Sequence, residues 1–117
     1  MNKETILMNK IRVAVSSVGV CFRANVGKVR LADGRFFDTG LPVGFSDLFG
    51  VRKKDGKIFF IEVKTAKGRV REEQKNFIKI MKKNQAIAGI ARSPEEAIEL
   101  VMTGRNSSTD ELKLDDP

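Results

Sequence analysis

Residues 57–65, Lys-Ile-Phe-Phe-Ile-Glu-Val-Lys-Thr, contain an apolar run that ends in alternating charged side chains. An uninterrupted apolar run of this length predicts a strand in the middle of a sheet, covered on both faces. Side chains alternate along a strand, so Glu62 and Lys64 share a face with Phe60. Two charges at the end of a buried strand need partners or a chemical role.

A second strand precedes this one and is predicted to pair with it as a hairpin. The two arms are residues 47–52 and residues 57–64. Asp55-Gly56 is a strong signal for a two-residue turn, which would set Asp47 opposite Lys64 and diagonal to Glu62, with Cβ atoms roughly 7 Å apart. Two carboxylates at that spacing can hold one Mg²⁺, and Lys64 would face a phosphate bound beside it. The alternative is a surface ion-pair cluster, which would contribute only about 0 to 1 kcal/mol.

The rest of the chain alternates between helical and strand patterns. Helices are predicted over residues 3–18 and 70–83, with a third beginning at Ser93-Pro94. Strands are predicted over 20–26, 29–31 and 86–91, with the first two forming an early hairpin, and 32–44 is predicted to be loop. The order αββββαβα predicts an α/β domain over residues 1–105, with a central mixed β-sheet flanked by α-helices. Residues 106–117 are acidic and are expected to form a disordered tail.

The amino-acid composition limits both the partners and the catalytic groups that the chain can use. The chain has 22 basic and 15 acidic residues, and the last twelve residues hold four acids and one lysine, so the remainder carries 21 against 11, or +10. A body this basic favours nucleic acid as a partner. The chain has no histidine and no tyrosine, so phosphodiester chemistry would have to use carboxylates, lysine and a hard divalent cation. Short apolar runs, the lack of a signal-peptide pattern and the single Cys21 make a non-membrane, cytoplasmic protein the default expectation.

Four segments together resemble a known group of nucleases. They are Gly44-Phe45-Ser46-Asp47, Phe60-Ile61-Glu62-Val63-Lys64-Thr65, Gly68-Arg69 and Gln74. This pattern resembles the PD-(D/E)XK nuclease superfamily and, more narrowly, the VRR-NUC (virus-type replication-repair nuclease) family. The resemblance covers about residues 4–90, with its specific motifs between 44 and 74. Ser46 departs from the family pattern, which usually has proline before the motif aspartate; that proline is a backbone device and not a metal ligand.

The resemblance implies a restriction-endonuclease-like core and a metal site. Asp47, Glu62 and the main-chain carbonyl of Val63 would hold Mg²⁺ or Mn²⁺, and Lys64 would be catalytic. Gln74 would also belong to the site, and the helical pattern independently puts it on the inward face. Related resolvases carry a first-helix glutamate that completes the metal site, and Glu4 lies on the apolar stripe of the first helix. The equal alternative for Glu4 is an acid that complements the helix dipole.

The leading hypothesis is a metal-dependent, structure-selective DNA endonuclease similar to Holliday-junction resolvases. The resemblance implies a homodimer with two active sites acting on four-way junctions, and small stand-alone members look like viral or phage proteins. The candidate DNA contacts are Lys67, Arg69 and Arg71 beside the second helix, and Arg23, Asn25 and Lys28 on the early hairpin. The alternatives are a flap or other repair nuclease of the same fold, a non-catalytic DNA-binding module, and an RNA-binding accessory suggested by charge alone.

Overall fold

A mixed four-stranded sheet forms the centre of the computed structural model, which describes residues 2–105. In chain order the elements are α1 (Lys3–Val15), β1 (Gly19–Arg23), β2 (Lys28–Arg30), β3 (Phe36–Asp38), β4 (Leu48–Arg52), β5 (Ile58–Val63), α2 (Glu72–Lys83), β6 (Ile87–Ala91) and α3 (Pro94–Thr103). The central sheet has the strand order β1-β4-β5-β6, in which only the β5–β6 pair is parallel. This arrangement confirms the predicted α/β architecture with helices flanking a mixed sheet.

Alternation along β5 divides the core into two layers. Phe59, Ile61 and Val63 pack with α1 and α3 on one face of the sheet, whereas Phe60 packs with α2 on the other. All four of these side chains are buried, because β5 lies between β4 and β6 and is covered by helices on both faces. The side-chain alternation predicted from residues 57–65 is therefore confirmed, and it directs Glu62 towards the α2 face.

The predicted early hairpin is wrong. β1 pairs with β4, while β2 pairs with β3 in a separate two-stranded sheet, and β3 lies in the segment predicted to be loop. The tight turn between β2 and β3 is built around Gly34, whose φ is +91°, and Asp33, whose carboxylate accepts the N–H of Arg35 at 3.0 Å. The element order is therefore αβββββαβα, with one more strand than predicted.

The predicted register of the β4–β5 hairpin is also wrong. The structure pairs Val51 with Ile58, and the N–H of Arg52 donates to the carbonyl of Lys57 at 2.8 Å. Four residues, 53–56, therefore connect the paired ends in place of the predicted two-residue turn. The cause is Asp55, whose carboxylate binds the Arg52 guanidinium at 3.0 and 2.7 Å and accepts the N–H of Lys57 at 3.1 Å. The register differs from the predicted one by two residues, an even number, so every side chain of β4 and β5 keeps its predicted face.

Two predictions about the wider chain have different outcomes. No helix within residues 2–105 is long and apolar enough to cross a membrane. The predicted acidic tail, residues 106–117, lies outside the described residues.

Candidate active site

Asp47 and Glu62 lie next to each other at one end of the two central strands, where β4 begins and β5 ends. Extending the ladder one step beyond the pair Leu48 and Ile61 sets Asp47 directly opposite Glu62, and not opposite Lys64 as predicted. Oδ2 of Asp47 accepts the main-chain N–H of Val63 at 2.9 Å, and its main-chain carbonyl accepts the N–H of Ala24 at 2.8 Å. Asp47 is therefore held from both neighbouring strands.

Glu62 is a buried carboxylate that uses only one of its two oxygens. Its side chain is 2% exposed. Oε2 accepts a hydrogen bond of 2.8 Å from Nε2 of Gln74, and Nζ of Lys64 lies 3.6 Å from the same oxygen. Oε1 is buried and has no hydrogen-bond partner among residues 2–105. A buried carboxylate oxygen without a partner is costly, so this oxygen is available to bind a cation.

The electrostatic environment of Glu62 also favours a bound cation. The pKa of Glu62 is raised to about 8, first by burial and then by repulsion from the Asp47 carboxylate, which lies close enough to accept a hydrogen bond from the protonated form of Glu62, while the Lys64 ammonium opposes the shift. A cation between two such acids would reverse the shift, because it favours their charged forms.

The donor set also fits a specific class of cation. Within the described part of the chain, no three acidic or cysteine side chains are grouped closely enough to hold a metal, so the protein offers two carboxylates. Mg²⁺ is commonly held in this way, with water and substrate phosphate completing its shell, and Mn²⁺ accepts similar oxygen ligands. Asp47 and Glu62 therefore fit Mg²⁺ or Mn²⁺. The role of the Val63 main-chain carbonyl as a further metal ligand stays a prediction.

Gln74 connects this carboxylate to α2. It is 5% exposed, and its Oε1 accepts the N–H of Arg71 at 2.9 Å while its Nε2 binds Glu62. Both ends of the amide are thereby used, which fixes the rotamer. Phe77 and Met81 of α2 pack with Phe60 beneath it, as the helical pattern predicted. Val70 packs there too, but from the segment before the helix, because α2 begins at Glu72 and not at residue 70 as predicted.

The glycine of the motif explains how the Asp47 loop reaches α2. Gly44 has a φ of +99°, which favours glycine, and a Cβ at this position would overlap the main-chain carbonyl oxygen of Glu73. The loop before Asp47 therefore lies directly against the first turn of α2, next to Gln74. Phe45 follows Gly44 and is partly buried against the core on the α2 face, where its ring centroid lies 4.8 Å from that of Phe77.

The segment after Lys64 is held by a residue that the sequence analysis missed. Residues 65–68 form a turn in which the N–H of Gly68 donates to the carbonyl of Thr65 at 3.0 Å. Nη1 of Arg92 donates to the carbonyls of both Thr65 and Gly68, at 2.6 and 2.9 Å. Parallel neighbouring strands end at the same edge of a sheet, so the position after β6 could have drawn attention to Arg92.

The first group of predicted DNA contacts lies close to this turn. Lys67, Arg69 and Arg71 are all exposed in the segment between β5 and α2. Lys67 lines a surface cleft of about 320 Å³ together with Lys3, Thr65 and Ala66. Lys3 is a further basic residue that the sequence analysis did not single out.

The second group is divided by the unexpected strand pairing. Arg23 and Asn25 are exposed and flank Ala24, the residue that binds the Asp47 main chain, so they border the site. Lys28 is exposed at the start of β2, opposite Asp38 in the separate sheet. The three residues therefore do not share one hairpin, contrary to the prediction.

Glu4 does not join the two acids. It is exposed in the first turn of α1, on the same stripe as Met8 and Ile11, so its predicted burial is wrong. Its place in the first turn agrees with the alternative interpretation, an acid that complements the helix dipole. The buried residues of α1 begin only at Met8, which means that the first turn extends beyond the core.

The chain matches the model of a known protein family. The family model described as the VRR-NUC domain matches residues 28–95, which is more than half of the chain. The matched range includes Asp47, Glu62, Lys64, Gln74 and Arg92. No curated protein matches this chain.

Proposed function

The chain belongs to the VRR-NUC domain family and is a nuclease of the PD-(D/E)XK type, and on that premise we propose that it is a metal-dependent, structure-selective DNA endonuclease similar to Holliday-junction resolvases. One observation carries the proposal. Two adjacent carboxylates, Asp47 and Glu62, lie beside Lys64, and one buried Glu62 oxygen has no partner within residues 2–105.

Each residue of the site has a distinct role in this proposal. Asp47, Glu62 and the carbonyl of Val63 would hold Mg²⁺ or Mn²⁺, and the bound ion would supply polarisation of phosphate oxygens and a more acidic water. Lys64 stabilises the negative charge that develops on the scissile phosphate. Gln74 occupies Oε2 of Glu62 and so leaves Oε1 for the ion.

Basic side chains around the site would bind the DNA backbone. Lys67, Arg69 and Arg71 lie in the exposed segment that leads into α2. Arg23 and the uncharged amide of Asn25 are exposed on either side of Ala24, whose N–H donates to the Asp47 carbonyl. Such contacts position a duplex without reading its sequence, which suits an enzyme that recognises branched DNA by shape. Lys28 would contact a more distant part of the same DNA.

An exposed apolar patch supports a homodimer. Val20, Val51 and Ile58 lie in one row across β1, β4 and β5, on the face that α2 covers elsewhere, and Phe22 lies beside them. Their exposed fractions range from 41 to 52%. Apolar patches of this kind are typical of protein interfaces, and a second copy of the chain would supply the second active site that a four-way junction requires.

A cleavage assay tests the proposal. The protein is incubated with Mn²⁺ or Mg²⁺ and four-way junction, flap, duplex or single-stranded DNA. Paired symmetric nicks in the junction are expected, and both Glu62→Gln and Lys64→Ala should abolish cutting while DNA binding is retained. Full cutting by either variant would refute the assignment of the site.

The same assay separates the alternatives. Cutting of flaps alone would indicate a repair nuclease of the same fold, and salt-sensitive binding without any cutting would indicate a non-catalytic DNA-binding module. A cytoplasmic location, that of the host if the protein is viral, stays a prediction from the sequence.

A further inference from the structure

Arg92 holds the main chain that follows Lys64. It comes directly after β6, and Nη1 of its guanidinium donates to the carbonyls of Thr65 and Gly68 at 2.6 and 2.9 Å. The main-chain N–H of Lys64 donates to the carbonyl of Ala91 at 3.1 Å. The end of β6 therefore fixes both Lys64 and the turn that follows it.

The turn is in close contact with the Lys64 side chain. A Cβ on Gly68 would lie 3.4 Å from Cδ of Lys64, so the Gly68 main chain borders the aliphatic part of that side chain. The Lys64 side chain is only 12% exposed and must reach past this turn to bring its ammonium within 3.6 Å of Glu62. A displaced turn would therefore change where the ammonium lies.

Arg92 is itself fixed by α3. Its main-chain N–H donates to Oε1 of Glu96 at 2.8 Å, and the N–H of Glu96 donates to Oγ of Ser93 at 3.1 Å. The guanidinium thus extends from a capped helix start, and its planar group binds two carbonyls with little loss of side-chain freedom. This arrangement is a rigid support for the 65–68 turn.

We propose that Arg92 is a positioning residue of the nuclease, which acts by holding residues 65–68 and, through them, the Lys64 ammonium. This inference rests on the proposed function and adds a residue outside the motif set. Small displacements of a catalytic group mainly slow the chemical step. Loss of Arg92 should therefore lower kcat by about 10- to 100-fold and leave KM nearly unchanged.

The chain contains a matched control at the opposite end of the sheet. Nη1 of Arg52 also donates to two main-chain carbonyls, those of Val101 and Met102, at 2.9 and 3.1 Å. Arg52 is buried at the end of β4 that lies away from Asp47. Loss of Arg52 should lower stability without changing the kcat of the folded protein.

The experiment compares Arg92→Gln, Arg92→Lys and Arg52→Gln in the full chain. Steady-state kcat and KM are measured with Mn²⁺ on the DNA that the wild type cuts best, well below each variant's Tm, together with metal-free DNA binding by fluorescence anisotropy. Arg92→Gln should lose kcat with an unchanged Kd, Arg92→Lys should recover part of the loss, and Arg52→Gln should lower only Tm.

Three results would overturn the inference. The first is an unchanged kcat in Arg92→Gln. The second is a loss of kcat in both glutamine variants that follows their loss of Tm, which would assign Arg92 a purely structural role. The third is a wild type that cuts no DNA, which would refute the proposed function as well, whereas the first two leave that function intact.

Discussion

Replacement of Glu62 by glutamine should make the metal-free protein more stable at pH 8 while abolishing cleavage. Glutamine has nearly the same shape, and its carbonyl oxygen can still accept the hydrogen bond of Gln74. It cannot ionise, so it removes the cost of holding a buried carboxylate beside Asp47. Glu62, which the proposed function requires, would therefore lower the stability of the metal-free protein.

The magnitude follows from the raised pKa of Glu62. That pKa is about 8 in the folded protein and is usually 4.5. An acid whose folded-state pKa is raised favours folding fully below pH 4.5, and this contribution is lost as the pH rises through about 8. The difference corresponds to about 5 kcal/mol, an upper limit because water entering the site would reduce it. Even half of that is a large share of the stability of a small domain.

Urea unfolding followed by circular dichroism at pH 5, 6.5 and 8 in EDTA measures the effect. The wild type should lose several kcal/mol relative to Glu62→Gln across this range. The pH dependence can be attributed to Glu62 because the chain has no histidine that would titrate in the same pH range. Adding Mn²⁺ at pH 8 should stabilise the wild type but not the variant. Parallel pH profiles in EDTA would refute the reasoning, and equal stabilisation of both proteins by Mn²⁺ would refute the metal site.

Two further substitutions test how the site is built. Gly44→Ala should cost about 2 to 4 kcal/mol in urea unfolding, because it combines a positive φ with an overlap at the Glu73 carbonyl. Gly34→Ala is its control, since φ there is +91° but a Cβ would meet no atom of the described chain within 4 Å; equal losses would contradict the packing argument. Ser46→Ala should leave the free energy of unfolding unchanged or raise it by up to about 1 kcal/mol, because the buried Ser46 hydroxyl has no partner within residues 2–105. A clear drop in Tm for Ser46→Ala would mean that this hydroxyl is hydrogen-bonded in solution.

Local patterns were sufficient for much of the site. Alternation along a strand has a period of two, so residues 57–65 alone decided that Glu62 and Lys64 share a face. The helical period likewise directed Gln74 inward, where it binds Glu62. Asp47 was assigned to the correct face despite a wrong register, because the error was an even number of residues.

Other features depended on contacts between distant parts of the chain. The β4–β5 connection has four residues because Asp55 binds Arg52, whose guanidinium is in turn anchored to the carbonyls of α3. A turn motif such as Asp55-Gly56 contains no information about a helix that begins about forty residues later. The pairing of β1 with β4 is also long-range, and local turn signals favoured an early hairpin that does not form.

Glu4 and Arg92 show which features local sequence patterns could predict and which depended on tertiary contacts. A helical stripe specifies the direction in which Glu4 points but not whether the core extends as far as the first turn, and in the structure it does not. Arg92 belongs to none of the sequence motifs, and its contact with the turn after Lys64 forms because the parallel strands β5 and β6 end side by side. The sequence by itself determined which side chains could perform the chemistry, since backbone periodicity is local. Only the tertiary structure decided which of them meet and what holds them, since strand register and helix packing depend on the whole chain.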